Sequence, residues 1–337
     1  MKGKQGLVCM GLLLVLSSCS CHTGKQITAS GLQRKDFQTE VNGQHTDLFT
    51  LSNKQGMEVC ITNYGARVVS ILVPDRNGKR EDVVCGFSTI TEYMEQRQNF
   101  GSTVGRYIGR ILNARFTLDG VEYKLVPNNG KSGHISHGGN PGFADRIWKV
   151  EQADTHRVRL SYLSPDGENG FPGNLKVTLV YSLGEDDNAL DLTYEATTDA
   201  PTVLNLSHHS FFNISGNFTK SVEDQQLWVD ADRFTPYDDK KCVTGEYLPV
   251  AGTPLDFRMP HTIGECIDAD HPQLKVVNGY DHTWELNTKG DDTRPAAWVY
   301  DPASGRKMEI FTTEPGMQIY TGNGLKGKMT GKGGIAY

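Results

Sequence analysis

The sequence lacks an excess of positive charge and any CxxC pair of cysteines. Its 34 Lys and Arg residues are outnumbered by 40 Asp and Glu residues, and the formal net charge is −6. A protein that binds nucleic acid presents a basic surface, so nucleic acid is not an expected partner. The 7 Cys residues are scattered without a CxxC pair, which argues against a structural zinc site or a redox motif. Those in the body of the chain are predicted to be buried free thiols, namely Cys21, Cys60, Cys85, Cys242 and Cys266.

A long apolar run is absent as well, and a short one lies near the N-terminus. Lys2 and Lys4 precede this run, which covers residues 7–16 and is too short to span a bilayer. The tetrad Leu16-Ser17-Ser18-Cys19 follows and is similar to a bacterial lipobox. This arrangement predicts a lipoprotein signal peptide over residues 1–18. A plain secretory signal is the alternative, because ordinary cleavage requires only small residues.

Cys19 is the residue predicted to carry the lipid. Several acyl chains anchor a protein durably, whereas one chain alone is marginal. The mature protein is therefore expected to be lipid-anchored in the bacterial cell envelope, on a periplasmic or outer-membrane face, through a flexible lead over residues 19–30. No linker or charge block divides residues 31–337, and one domain is predicted there.

Alternation with a period of two residues dominates the secondary-structure pattern. Apolar and polar residues alternate over residues 175–181 and 190–196, as in half-buried strands. Asp119-Gly120 separates two further alternating segments and favours a tight hairpin turn, since such turns need positive φ angles. The 37 Gly residues agree with many turns between short strands. No comparably long segment has the helical period, so the pattern predicts an all-β chain, either a sandwich or a barrel.

Five polar segments stand out against this pattern. They are residues 105–111, 132–139, 205–213, 279–284 and 312–323. In the last of them Glu314 precedes Pro315, which biases the residue before it toward extended backbone. The Glu314 carboxylate is therefore expected to project from the end of a strand, and such rigid placement suits a proton-transfer group.

In their order and residue types, these segments closely resemble the aldose 1-epimerases, or mutarotases. The resemblance extends from about Gly56 to the last residue and includes residues 63–66, 166–173 and 252–258. It implies the fold of that family, a large antiparallel β-sandwich. Members of the family continue past the Gly-Lys-Gly-Gly stretch, whereas this sequence stops at Tyr337. The domain is therefore expected to be truncated or to lack strands at one edge.

Mutarotation interconverts the α and β anomers of a free sugar by opening and closing its ring. The C1 hydroxyl loses a proton while the ring oxygen gains one, so a base and an acid must act together. The resemblance implies that Glu314 is the base and His209 the acid, with neither a metal nor an organic cofactor. His209 is expected to be partly protonated near neutral pH, assisted by a nearby carboxylate.

The resemblance also implies three residues that bind the sugar. His137 matches a second histidine that hydrogen-bonds near the ring oxygen. Arg110 and Asp281 match residues that hold sugar hydroxyls, for which Arg and Asp provide planar donors and acceptors. An aromatic floor under the sugar is available from Phe211 or Tyr320, and the sequence does not choose between them. The expected partner is a small free sugar.

Three positions depart from the family pattern. Gly109 and His208 stand where many members have Asn, and Ser136 stands where Leu is common. The loss of Asn at position 109 removes a donor and acceptor, so the preferred sugar can differ from glucose and galactose. Clustered histidines also raise the question of a metal site, but His134 and His137 lie in a Gly-rich loop where their spacing fixes no common face. No metal is predicted.

Two other functions remain open from the sequence. A non-catalytic sugar-binding lipoprotein of the same fold would keep the pocket without turnover, and it ranks second because of the missing terminus. A glycosidase would need two carboxylates on either side of a glycosidic bond, and Glu314 with Asp281 can be given those roles. A mutarotase differs from both, because it changes the rate of optical rotation and releases no aglycone.

Overall fold

The computed structural model describes residues 26–325 and 327–337. Strands dominate these residues, and the α-helices found in them are α1 (Ile90–Gln96) and α2 (Pro272–Val277). The predicted signal peptide, Cys19 and Cys21 lie outside the described residues. The prediction of an all-β chain is confirmed.

The strands of the described residues follow in chain order. The first twelve are β1 (Glu40–Val41), β2 (Gln44–His45), β3 (Leu48–Ser52), β4 (Glu58–Thr62), β5 (Arg67–Pro74), β6 (Arg80–Asp82), β7 (Ser102–Val104), β8 (Arg110–Ile111), β9 (Arg115–Leu118), β10 (Val121–Lys124), β11 (Ile135–Ser136) and β12 (Lys149–Ala153). The next twelve are β13 (Arg157–Ser164), β14 (Leu175–Leu183), β15 (Leu190–Thr198), β16 (Ser207–His209), β17 (Gln226–Val229), β18 (Ala231–Thr235), β19 (Leu248–Pro249), β20 (His261–Thr262), β21 (Asp281–Leu286), β22 (Ala297–Tyr300), β23 (Lys307–Ile310) and β24 (Gly316–Tyr320).

Short 3₁₀ turns connect several of these strands. They are Arg34–Phe37, Leu112–Ala114, Gly130–Ser132, Phe143–Asp145, Glu168–Gly170, Ile263–Glu265 and Lys332–Gly334.

The larger sheets pair face to face around two cores. Sheet β3-β4-β5-β6 packs on sheet β12-β13-β14-β15, and Val59, Leu160 and Leu179 lie in the buried cluster between them. Sheets β20-β17-β22-β23 and β19-β18-β21-β24 share a second buried cluster that includes Leu227 and Trp284. The strand pairs within these sheets are antiparallel. The predicted antiparallel β-sandwich is therefore confirmed.

The sheet that contains β4 and β5 is covered on both of its faces. All residues of β4 are buried, and a third cluster places Cys60 and Val69 against Tyr93 of α1 and against Phe100. Strands buried on both faces are rich in apolar residues without alternation. Arg67, the first residue of β5, is nevertheless only 1% exposed.

The hairpin predicted around Asp119-Gly120 is confirmed. Strand β9 pairs with β10, and Leu118 faces Val121 across the turn. Asp119 has a φ of 51° and Gly120 a φ of 80°, which are the positive angles that a two-residue hairpin turn requires.

The predicted alternation is clear in β14 and weaker in β15. Leu175, Val177 and Leu179 of β14 are buried, whereas Lys176 is exposed. Along β15 the alternation is between partly buried and exposed positions, and it ends in four exposed residues. The physical reason is that β15 is the last strand in the order of its sheet.

The N-terminal boundary of the domain differs from the predicted one. The flexible lead was predicted to extend through residue 30, but the backbone amides of Ala29 and Ser30 both donate to Oε1 of Glu58, at 2.7 and 3.2 Å. Thr28 is 5% exposed, and Ile27 forms a bridge with Gln33. The described end of the lead therefore belongs to the domain, because the Glu58 carboxylate satisfies its backbone donors.

The cysteines of the described residues agree with the prediction of free thiols. Cys60, Cys85 and Cys242 are buried and unpaired, and Cys266 is free and partly buried. Residues 26–325 and 327–337 contain no helix of the length and apolar character needed to cross a membrane.

Candidate active site

His209 is held at the end of a short strand. Strand β16 pairs with β7, and His209 lies opposite Ser102. Side chains alternate along a strand, so His209 and His208 face different surroundings. The ring of His209 stacks on Phe211 at 5.2 Å between centroids, whereas His208 packs against Tyr181 and its Nε2 lies 2.6 Å from Oγ of Ser210. His208, which stands where many family members have Asn, therefore lies on the face of β16 that is directed away from the face of His209.

His137 is oriented by the backbone of Gly109. The Gly109 amide donates to Nδ1 of His137 at 3.3 Å, and the His137 amide donates to the Gly109 carbonyl at 2.9 Å. Because Nδ1 accepts a hydrogen bond, the neutral ring carries its proton on Nε2. Burial, with the positive charges of His209 and Arg110, lowers the pKa of His137 to about 3. His137 is therefore a neutral hydrogen-bond donor at physiological pH.

The structure brings the two predicted histidines together. The rings of His137 and His209 lie edge to face, with 5.5 Å between their centroids and an interplanar angle of 89°. Burial is also the main cause that lowers the pKa of His209, and the charge of Arg67 adds to it. No carboxylate of the described residues is among the groups that shift the pKa of His209. The expected assistance from a nearby carboxylate is therefore not found in this part of the chain, and the low-dielectric surroundings disfavour the imidazolium.

Arg110 and Asp281 lie in the same region as the histidine pair. The charge of Arg110 acts on both His137 and Asp281, and its Nη1 donates to the Lys241 carbonyl at 2.9 Å. Asp281 begins β21 and accepts a hydrogen bond from Nε2 of Gln318 at 2.6 Å. Burial raises the pKa of the Asp281 carboxyl above its usual range, while Gln318 and Arg110 oppose that shift.

Phe211 and Tyr320 both contribute aromatic surface to this region. Their rings meet edge to face at 5.6 Å, and Tyr320 pairs with Asp281 between β24 and β21. A continuous set of contacts therefore connects the histidine pair to Asp281. The six residues His137, His209, Arg110, Asp281, Phe211 and Tyr320 are called the polar cluster below.

Glu314 does not belong to the polar cluster, so the structure does not bring the predicted base to the histidine pair, and its role as the base stays a prediction. Its side chain is exposed, and its amide donates to Oγ1 of Thr312. The adjacent Pro315 carbonyl accepts a hydrogen bond from the amide of Leu286, at the opposite end of β21 from Asp281. With about 3.3 Å per strand residue, the two ends of β21 are about 16 Å apart. Glu314 lies in the bend that precedes β24, and its location depends on the register of β24 with β21.

The clustered histidines that raised the question of a metal site are His134, His137, His208 and His209. Of these, His134 has surroundings of its own. It is 1% exposed, and its Nδ1 accepts the Asn113 amide at 3.0 Å. In residues 26–325 and 327–337, no group of three or more His, Cys, Asp or Glu side chains is arranged to hold a metal ion. The HxxH spacing therefore places one histidine in a structural role and the other in the polar cluster.

Two further residues support the cluster and were not singled out from the sequence. Gln318 holds the Asp281 carboxylate and also donates to the Tyr237 hydroxyl at 3.3 Å. The period of two along β24 relates Gln318 to Tyr320 on one face, so a strand pattern alone would have indicated it. Tyr237 comes from a segment distant in the sequence, and nothing in its local pattern distinguishes it.

Known proteins are similar to this chain over most of its length. A sequence model of the aldose 1-epimerase family matches residues 47–337. The galactose mutarotase of Sus scrofa is 39% identical over 289 residues, which cover 86% of this chain and 81% of that protein. The aldose 1-epimerase of Escherichia coli (strain K12) is 36% identical over 286 residues, covering 85% of this chain and 81% of that protein.

Solved structures show the same relationship. The galactose 1-epimerase from Lactobacillus acidophilus NCFM superimposes with a TM-score of 0.77 at 30% identity, covering 87% of this chain and 83% of that one. An aldose epimerase homologue from C. elegans gives the same TM-score of 0.77 and 30% identity, with 87% and 86% covered. The chain belongs to the aldose 1-epimerase family.

Proposed function

We propose that this chain interconverts the α and β anomers of a free aldose of the glucose or galactose type. The observation that supports this most directly is the edge-to-face pair of His137 and His209, which shares a polar cluster with Arg110 and Asp281. Imidazoles provide proton donors for a ring oxygen, and Arg with Asp provides the fork-shaped contacts that neighbouring hydroxyls require. Membership of the family supports the same reaction.

The reaction is a proton exchange coupled to the opening of a ring. A base removes the proton of the C1 hydroxyl, the bond between C1 and the ring oxygen breaks, and an acid delivers a proton to that oxygen. The open aldehyde rotates about C1–C2, and the reverse steps close the ring on the other face. No net oxidation or group transfer occurs.

We assign His209 as the acid and His137 as a hydrogen-bond donor to the ring oxygen. Nε2 of His137 carries a proton in the neutral ring because its Nδ1 is occupied by the Gly109 amide. A lower pKa makes the imidazolium of His209 a stronger acid but reduces its protonated fraction. Catalysis that uses protonated His209 should therefore decline with rising pH at a lower pH than it would for an unperturbed histidine.

Asp281 is the carboxylate that the described residues bring to this cluster. We propose that it binds sugar hydroxyls together with Arg110. Asp281→Asn is therefore expected to raise KM with little effect on kcat, because uniform binding is lost. If Asp281 instead accepts the C1 proton, the same variant loses kcat, by about 10²-fold or more. Steady-state kinetics of this one variant distinguish the two roles.

Polarimetry tests the proposed activity directly. Purified protein is added to freshly dissolved α-D-galactose and α-D-glucose, and the approach to equilibrium rotation is compared with the spontaneous rate. An accelerated approach supports an aldose 1-epimerase. Ligand-induced thermal stabilisation without any acceleration would instead support a non-catalytic sugar-binding protein.

The glycosidase alternative does not fit the positions of the carboxylates. Retaining and inverting glycosidases hold their two carboxyl groups about 5–9.5 Å apart. Glu314 and Asp281 lie near opposite ends of β21, separated by about 16 Å along the strand. Incubation with a nitrophenyl glycoside gives the corresponding experimental test, and release of nitrophenol would contradict the proposal.

We further propose that Cys19 carries a lipid and anchors the protein in the cell envelope. The support is the sequence Leu16-Ser17-Ser18-Cys19 after a charged and apolar leader. Cells that express the protein are labelled with a fatty-acid analogue, and Cys19→Ala is compared with the matched control Cys21→Ala. Label should be lost in the first variant and kept in the second. Label that persists in Cys19→Ala would refute the assignment.

A further inference from the structure

Arg67 is a buried cation whose place in the fold needs a physical reason. It is only 1% exposed, and none of the ion pairs found among the described residues includes it. Its guanidinium lies over the rings of Tyr93 and Tyr64, at 4.7 and 5.6 Å from their centroids. Burying an unpaired charge is costly unless hydrogen bonds compensate. The groups that accept hydrogen bonds from Arg67 therefore show how the fold compensates its charge.

The guanidinium donates to backbone carbonyls from two separate segments of the chain. Nη1 donates to the carbonyls of Gln98 and Phe100 at 2.7 and 2.8 Å. Nη2 donates to the carbonyl of Ala144 at 2.9 Å. A planar fork of this kind fixes two groups in a defined relative geometry, which a flexible ammonium cannot do.

The first of these segments leads directly to His209. Gly101 follows Phe100, its amide donates to the His209 carbonyl at 2.9 Å, and its carbonyl accepts the Val68 amide at 2.9 Å. Ser102, the next residue, pairs with His209. The position of the His209 backbone thus depends on the segment that Arg67 holds.

The second segment follows His137. Ala144 lies in the 3₁₀ turn Phe143–Asp145, and the Phe143 amide donates to the Gly105 carbonyl. Gly138, next to His137, approaches that same carbonyl so closely that an added Cβ would lie 1.8 Å from the oxygen. The loop from His137 to Ala144 is therefore packed as one piece, with Arg67 bonded to its far end.

We propose that Arg67 is a positioning residue that sets the distance and angle between His137 and His209 by joining the two segments that carry them. This inference rests on the proposed function, since it assigns the histidine pair a catalytic geometry to be maintained. The guanidinium of Arg67 contacts backbone carbonyls and aromatic rings, so Arg67 acts on the histidines through the backbone.

The charge of Arg67 has a second consequence for the same pair. Arg67 is the charged group that lowers the pKa of His209, and His209 in turn lowers the pKa values of His137 across the pair and of His208 beside it on β16. The titratable groups that act on Arg67 are Tyr64, Tyr93, Tyr181 and Asp145. Because the cation disfavours protonation of His209, its removal should move the titration of His209 to higher pH.

The test compares Arg67→Met and Arg67→Lys with Arg306→Met in the full chain. Arg306 is a matched control, because it is also buried and donates to the backbone carbonyls of Ile214, Ser215 and Lys79, away from both histidines. The readouts are thermal stability, kcat/KM by polarimetry, the pH profile, and an NMR titration of the histidine rings in the sugar-free protein.

Arg67→Met should lower kcat/KM by about 10²-fold, the loss typical of a catalytic group displaced by about 1 Å. It should also move the His209 titration and the alkaline limb of the pH profile upward. Arg67→Lys keeps the charge and should restore the His209 titration while recovering only part of the activity. Arg306→Met should lose stability without either effect.

Equal losses of kcat/KM in Arg67→Met and Arg306→Met, with the His209 titration unchanged, would show a merely structural role and overturn the proposal. If Arg67→Met does not fold, Arg67→Lys provides the test. Wild-type kcat/KM in Arg67→Lys would contradict the need for a planar guanidinium at this position. The NMR readout is independent of turnover. An inactive wild type would therefore refute the proposed function while leaving the effect of Arg67 on the histidine pair measurable.

Discussion

At the scale of single residues, exposure to solvent distinguishes the two candidate carboxylates, and burial lowers the pKa values of the two histidines. Glu314 and Asp281 are both acidic residues near β-strand ends, yet Glu314 is exposed and Asp281 is buried enough for the pKa of its carboxyl to rise. His137 and His209 have lowered pKa values because burial disfavours the imidazolium. The chemistry of each group follows from its solvation rather than from its type.

The first residue-scale prediction concerns Glu314 and His209. Glu314→Gln should retain kcat within about twofold, because its side chain is exposed and remote from the histidine pair. His209→Asn should lose about 10²–10⁴-fold in kcat, the usual contribution of a general acid. Polarimetry with the spontaneous rate subtracted measures both. A loss in Glu314→Gln comparable to that in His209→Asn would contradict this prediction and support Glu314 as the base.

A second residue-scale prediction concerns Gly109. Its φ is +80°, and an added Cβ would meet nothing within 4 Å, so space is available for a side chain. Asn tolerates positive φ better than other side chains, and the backbone bonds to His137 are kept. Gly109→Asn should therefore fold and lower KM for galactose or glucose by supplying an amide. Gly109→Ala, which adds strain but no amide, is the control, and equal KM values in the two variants would count against this prediction.

At the scale of elements, the ladder between β7 and β16 matters more than its length suggests. Both strands have three residues, and such short pairs have little intrinsic stability. The ladder is supported by its surroundings, and Gly101, which directly precedes β7, provides this support on one side. An added Cβ at Gly101 would lie 1.9 Å from the Val68 carbonyl oxygen. The backbone of the histidine strand therefore depends on a glycine contact with β5.

The element-scale prediction compares two glycines with similar backbone angles. Gly101 has a φ of +67° and Gly120 a φ of +80°, but a Cβ at Gly120 meets nothing within 4 Å. Gly120→Ala should cost about 1 kcal/mol from backbone strain alone and leave kcat/KM unchanged. Gly101→Ala should cost more and lower kcat/KM, since the clash displaces the strand that pairs with β16. Chemical denaturation and polarimetry measure the difference, and equal effects in the two variants would show that the close approach is unimportant.

At the scale of the whole molecule, buried histidines couple folding to pH. Burial lowers the pKa of His137 and His208 to about 3 and that of His282 to about 4, from an ordinary value near 6.5. In the unfolded chain all three bind protons below about pH 6.5, whereas in the folded protein they stay neutral until much lower pH. The stability that they contribute is therefore present above pH 6.5 and is lost as the pH falls.

The whole-molecule prediction is a decline in the free energy of unfolding on acidification from pH 7 to pH 4.5. Each histidine can contribute at most about 1.4 kcal/mol per pH unit over this range. His282 is fully buried, so His282→Gln, which removes its titration, should reduce the slope. Urea denaturation at several pH values measures the slope. A free energy of unfolding that is constant or increases between pH 7 and pH 4.5 would contradict the burial argument.

The sequence by itself determined the local features of this protein. The period of two in residues 175–181 and the Asp119-Gly120 pair specified strand β14 and the hairpin of β9 and β10, because strand alternation and turn angles depend on neighbouring residues alone. The ordered polar segments indicated the family, and they identified His137, His209, Arg110 and Asp281 as a candidate set.

Only the tertiary structure decided which polar residues share a site. Glu314 and Tyr320 lie in one short segment of sequence, yet the register of β24 with β21 puts Tyr320 beside Asp281 and Glu314 at the far end of the strand. Arg67 was not singled out from the sequence, and its carbonyl contacts come from segments more than thirty positions away. Register and long-range packing arise from contacts between distant segments, and no local pattern encodes them.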